Sequence, residues 1–166
     1  MNWPTVLGGL AALYGAAWVW KGQTVRLRYF KPHEFGQWWP LMDEDLLRGL
    51  DEFRRRIGRP VQISPAIGAL GRPGAGDSMH NVTKWGQVRA ADVLIPGATV
   101  ADLPGLVAEA RAVGVFGGVG AYPDWEPWPG LHLDTRDRDP NQPATWAGLD
   151  DGDGDQYYTA IEEAWA

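Results

Sequence analysis

The chain has 166 residues, no cysteine and a formal net charge of -6, with an isoelectric point near 5.0. That length suits one domain with a real core, and the acidic balance argues against a nucleic-acid binder, which needs a basic stripe to neutralise phosphates. Without thiolates, disulfides are excluded and any metal must rest on His, Asp and Glu.

In chain order, the first feature is an uncharged run from Val6 to Trp20 that Lys21 ends. It is shorter than the roughly 20 residues of a spanning helix. It also lacks the basic start and the small-residue cleavage site of a secretory signal. Residues 1–22 therefore read as an apolar helix with three open roles: a short membrane anchor, an atypical export signal, or a segment (5–20) docked on a partner subunit. The third is preferred, although Pro4 in a first turn and the glycines of the run suit packing against either protein or lipid.

Residues 23–166 read as one α+β domain, a small antiparallel sheet flanked by helices. "TVRLRYF" is a short strand candidate. Asp43 then caps a helix in which Leu46, Leu47, Leu50, Phe53 and Ile57 recur at helical spacing until Gly58 stops it. Arg54, Arg55 and Arg56 fall on that helix among acidic neighbours and read as a solvated face. "PVQIS" predicts a strand, followed by a Gly/Pro-rich loop from Pro65 to Asp77, and "AADVLIP" predicts another. A second helix is expected over 100–113, with Pro104 tolerated in its first turn. "GVFGGVGAY" and "GLHLDT" predict two strands joined by "PDWEPWP". The acidic tail is expected to end in a helix capped by Asp155. Its Asp151, Asp153, Asp155 and Glu162 have calcium-loop spacing, but Gln156 stands where that loop needs glycine, so capping and solvation are the preferred reading. Ten tryptophans either line a groove or pack under long loops.

The chain has three histidines. His33 is left out of the site. His80 leads toward Asp92, and His132 stands two residues before Asp134, so that in a strand the latter pair project from one face. One of that pair can bind a metal while the other orients a neighbour. The residues alone leave structural and metal-binding roles both open.

The ordered set "YFKPHEF", "LDEFRRRIGRPVQIS", "SMH", "RAADV", "GGVGAYP" and "LHLDTR" resembles the M15-type zinc D-Ala-D-Ala peptidases of the Hedgehog/DD-peptidase fold. The branch it resembles is that of bacterial cell-wall hydrolases and phage lysins, over about residues 28–148. The resemblance implies that His80, Asp92 and His132 bind Zn2+, with Asp134 beside them. It implies a peptidase acting on peptidoglycan peptides, in a virion such as a phage tail or in the cell envelope or periplasm. Ser78 falls on the family's S-x-H element.

This sequence departs from the family in three ways. The spacing from His80 to Asp92 is longer than usual, implying a loop insertion that contains "NVTKW". The position of the family's acid/base is Pro129, leaving Glu126, the preferred substitute, and Asp124. The arginine that takes a substrate carboxylate is missing from its usual place, leaving Arg72 and Arg136. These departures keep a second expectation alive: a structural subunit of a phage tail or similar assembly, with weakened or lost catalysis.

Overall fold

Helix α1, Glu44–Ile57, forms where the periodicity predicts it. In the computed structural model, which describes residues 25–166, Asp43 Oδ1 accepts the Leu46 N–H at 2.9 Å and Gly58 closes the helix at φ 61°. Leu46, Leu47, Leu50 and Phe53 are buried, placing the apolar stripe against the core. On the outer face Arg54, Arg55 and Arg56 each meet an acidic partner, respectively Glu34, Glu52 and Glu109. The expected solvated face is therefore ion-paired. The apolar run within residues 1–22 lies outside the described residues. No helix among the described residues is long and apolar enough to cross a membrane.

The strand expected in "TVRLRYF" does not form over its described residues, 25–30. The Asp51 carboxylate accepts the backbone N–H groups of Arg28, Tyr29 and Phe30 at 2.8 to 2.9 Å, so the donors a ladder would use are bound to α1 instead. Pro32–Leu41 follows as kinked 3₁₀ turns. "PVQIS" contributes only β1, Gln62–Ile63. The "NVTKW" insertion folds as a one-turn helix, α2 (Val82–Trp85), whose Asn81 side chain accepts from the backbone of Thr83 and Lys84.

Strand β2, Ala90–Leu94, leads to a 3₁₀ turn, Val100–Asp102, that runs into α3, Leu103–Ala112, with Pro104 in its first turn as expected. Strands β3, Gly118–Tyr122, and β4, Gly130–Asp134, form the expected antiparallel pair. Two further strands were not anticipated: β5, Ala144–Asp150, and β6, Gln156–Thr159. The tail is thus corrected from a helix capped by Asp155 to a β-hairpin arm and a short 3₁₀ turn, Ile161–Trp165. The aspartates around the hairpin turn serve the backbone: Asp150 accepts from Gly152, and Asp151 from Asp153 and Asp155.

The six strands form one sheet in the order β1-β2-β4-β3-β5-β6. It is mixed rather than purely antiparallel, because β3 and β5 run parallel. The described residues make one α+β domain. Alternation assigns the two faces of the central strands. Ala91, Val93, Val119, Ala121, Leu131 and Leu133 join the core with the buried faces of α1 and α3. Asp92, Gly118, Gly120, Tyr122, His132 and Asp134 share the opposite face.

Asp43 ties these layers together, since its carboxylate also accepts from Gln87 Nε2 at 2.7 Å and Thr135 Oγ1 at 3.1 Å. Replacing it by Ala is expected to lower unfolding free energy by about 1–2 kcal/mol in urea denaturation, the usual cost of a lost helix cap.

Candidate metal centre

Strand register sets the first two donors. Asp92 in β2 lies directly across from His132 in β4, and both project from the face that the core leaves free. The third donor, His80, comes from the segment before α2 and is tied down through the Gly/Pro-rich loop. Asp92 N–H donates to Ala69 O at 2.8 Å, Arg72 N–H to His80 O at 2.7 Å, and His80 Nδ1 to Leu70 O at 2.6 Å. The loop is therefore a spacer wedged between β2 and His80. The α2 turn takes up the long spacing, and both ends of the insertion still reach one point.

At that point His80 Nε2 lies 3.2 Å from His132 Nδ1 and 3.2 Å from Asp92 Oδ1, and the last two are 2.9 Å apart. A tetrahedral ion bound at about 2.0–2.1 Å separates its ligands by about 3.3 Å, so the triangle is close to the right size. The chemistry of the donors agrees. A carbonyl oxygen only accepts, so His80 carries its proton on Nδ1 and turns the Nε2 lone pair inward. His132 Nε2 meets Asp134 Oδ2 at 2.9 Å, which leaves Nδ1 as its inward lone pair. Two lone pairs and a carboxylate oxygen facing one another call for a positive charge between them. The His80, Asp92 and His132 group can hold a metal ion.

Without an ion, a proton partly meets that demand. Burial works against protonating His132, but hydrogen bonds to Asp134 and Asp92 outweigh it and push its pKa up to about 9. Burial likewise opposes ionisation of Asp92, yet the hydrogen bonds from His132 and His80 hold its carboxyl well below the usual range. Asp134 is fully buried and also held low, against its own desolvation, by His132 and Arg136. Arg136 grips it through Nε, at 2.9 and 3.0 Å, and through Nη2, at 2.5 Å. The resulting chain, Arg136 to Asp134 to His132, fixes the imidazole from behind.

Glycines make room for this assembly. A Cβ on Gly118 would stand 2.5 Å from Asp134 Oδ2, and one on Gly120 would stand 2.5 Å from the Trp146 ring. Gly120 is the register partner of both His132 and Trp146. The indole therefore lies across the bare strand, with its ring centroid 5.3 Å from that of His132.

The three donors open on a cleft of about 370 Å³. Arg72, Ser78 and Arg136, expected as substrate contacts, line it. Arg72 is half exposed, with Nη2 3.9 Å from Asp92 Oδ2. Ser78 Oγ accepts the His80 N–H at 3.2 Å. Glu126 and Asp124 are not on the cleft wall. The turn that carries them brings Trp125 inward onto Tyr122, leaving both carboxylates exposed, and Asp124 accepts the Asp150 N–H at 2.9 Å. The carboxylate on the rim is Asp77, paired with Lys84 at 2.6 Å. An aromatic wall of Tyr122, Trp125, Trp146 and Tyr158 lines the cleft; the sequence offered a tryptophan-lined groove as one alternative without naming these residues. The step of two from Trp146 to Gly148 in "ATWAGLD" was the available sign of a strand, masked by its low β-propensity Ala and Gly. His33 is exposed and does not line the cleft.

Asp134→Asn is expected to weaken metal affinity about 10- to 100-fold in a competition titration, as loss of an orienting partner usually does. Metal uptake at pH 7 should release about one proton, from His132, and this release should vanish as pH rises past about 9; calorimetry in buffers of different ionisation enthalpy measures it. In the metal-free protein the same proton contributes stability in full below 6.5, its ordinary value, and that contribution is lost as pH rises through about 9.

Compared with known families, curated proteins and solved structures, the chain matches no family model, no curated protein and no solved structure.

Proposed function

We propose that this chain is a zinc-dependent peptidase of Hedgehog/DD-peptidase type that hydrolyses amide bonds in the stem or cross-link peptides of peptidoglycan. The observation that carries the reading is the convergence of His80 Nε2, His132 Nδ1 and Asp92 Oδ1 within 3.2 Å of one another at the floor of a cleft. Two imidazoles and one carboxylate suit zinc better than calcium or magnesium, which favour all-oxygen sites. Three protein donors with an open fourth side are the usual form of a catalytic zinc site. When bound, the ion supplies Lewis acidity toward a carbonyl oxygen and lowers the pKa of a water.

The chain's own residues divide the remaining work. Arg136 is consumed by Asp134 and acts as a support for His132. Arg72 donates through Nη2 to Gly68 O at 3.3 Å, lies 3.9 Å from Asp92 Oδ2 and is half exposed; it is the arginine assigned here to a substrate carboxylate. Ser78 holds the backbone of His80. The carboxylates of Asp124 and Glu126 are exposed and do not line the cleft, so neither is assigned the family's acid/base role in this reading.

One observation favours a second reading, a structural subunit of a phage tail or similar assembly with weak catalysis. Among the described residues, the carboxylates lining the cleft are Asp92, a metal donor, and Asp77, which is ion-paired and almost fully exposed. Under either reading the protein would work in a virion or in the cell envelope or periplasm.

Metal analysis is combined with digestion of peptidoglycan from several wall types. Wild type is expected to carry one zinc and to release new amino termini. His132→Ala should abolish both, whereas Glu126→Gln should retain activity within about 2-fold, as exposed substitutions outside a site usually do. Absence of stoichiometric zinc would sink the metal assignment. Zinc without released peptide favours the structural subunit.

A further inference from the structure

We propose that the Tyr122 hydroxyl is a catalytic hydrogen-bond donor in this cleft, directed at the substrate oxygen that gains negative charge when water adds to an amide carbon. The proposal rests on the peptidase reading above and supplies a residue for a site whose usual acid/base position is Pro129. Tyr122 is on the same face of β3 as Gly120, the register partner of His132. It lines the cleft with the metal donors.

Its position is fixed on three sides. The phenol stacks on Trp125 with centroids 4.1 Å apart at 16°. It also lies over Gly148, where a Cβ would collide with the ring. The indole Nε1 of Trp146 donates to the Tyr122 oxygen at 3.0 Å. An indole N–H only donates, so Tyr122 accepts there and must direct its own O–H elsewhere. In the free protein Tyr158 stands with it on the cleft wall. Tyr158 is 64% exposed on the edge strand β6, and its own hydroxyl donates to Gln156 Oε1 at 3.1 Å, so substrate can displace it.

Burial keeps the phenol protonated, pushing its pKa up, and the charge of Asp92 acts in the same direction. Other groups on the wall are already engaged: Arg136 by Asp134, Trp146 by Tyr122 itself, and Asp77 by Lys84. A fixed neutral donor in a partly dry cleft favours the charge that develops during reaction over the ground-state carbonyl. The proton remains on Tyr122 throughout, and only the hydrogen bond strengthens.

The test uses Tyr122→Phe, which keeps the ring and removes the donor, in the full zinc-loaded chain. Binding of an alanyl-alanine phosphinate, whose tetrahedral oxygens mimic the charged oxygen, is measured by calorimetry beside zinc content and wall-peptide hydrolysis. The expected result is unchanged zinc and a loss of about 10²-fold in both phosphinate affinity and kcat, with KM within about 2-fold. Tyr157→Phe, on the same edge strand but outside the cleft lining, should change neither by more than about 2-fold. Equal phosphinate affinity in wild type and Tyr122→Phe overturns the proposal, as does a wild type that does not bind the phosphinate. If Tyr122→Phe lowers zinc content, Trp146→Phe decides: about 10-fold weaker phosphinate binding with zinc retained supports the donor, and unchanged binding overturns it. Tyr122-dependent phosphinate binding without hydrolysis of any wall peptide would remove the peptidase reading and leave the donor assignment standing.

Discussion

Three electron-pair donors that face one another cannot be left without a positive charge, and most of the structure around the cleft keeps them in that position. His80 Nε2, His132 Nδ1 and Asp92 Oδ1 stand 2.9 to 3.2 Å apart. In water each would be solvated separately. In the fold Leu70 O fixes one imidazole by its outer nitrogen and Asp134 fixes the other. The conflict among the inner lone pairs is relieved by a proton on His132 or by a metal ion, and the two compete for the same place.

The sheet separates stability from chemistry by its pleat. On one face Val93, Val119, Ala121, Leu131 and Leu133 are fully buried with α1 and α3. On the other, the same strands carry donors and glycines, and the glycines are as necessary as the donors. Gly118 leaves room for the Asp134 carboxylate and the Arg136 guanidinium, and Gly120 for the Trp146 indole. Side chains at those positions would lift the supports of His132 off the strand. Such a face contributes little apolar packing of its own, and the opposite face carries the core.

Much of the organisation was legible along the chain. Asp43, the leucine spacing and Gly58 specify α1 locally, since cap, stripe and left-handed stop all lie within one segment. "HLD" specifies that His132 and Asp134 share a face, because a strand allows nothing else. The strand expected in "TVRLRYF" and the helix expected in the tail failed for tertiary reasons. Asp51 takes the N–H groups of residues 28–30, and β5 offers Gln156–Thr159 an edge on which to pair. Local pattern carries no information about either partner.

What the sequence determined by itself is the kind of donor available: with no cysteine, any metal must be held by imidazole and carboxylate, and the family resemblance of the motifs around His80, Asp92 and His132 implies which. What only the tertiary structure decided is their convergence. The register of β2 against β4 sets Asp92 opposite His132, and the loop bonds through Ala69, Leu70 and Arg72 bring His80 to them. Tertiary structure also decided that the turn sends Trp125 inward, leaving Asp124 and Glu126 exposed, and that Tyr122 and Trp146 form the wall. Such choices depend on which side of a turn finds a packing surface, and that surface is made by strands distant in sequence.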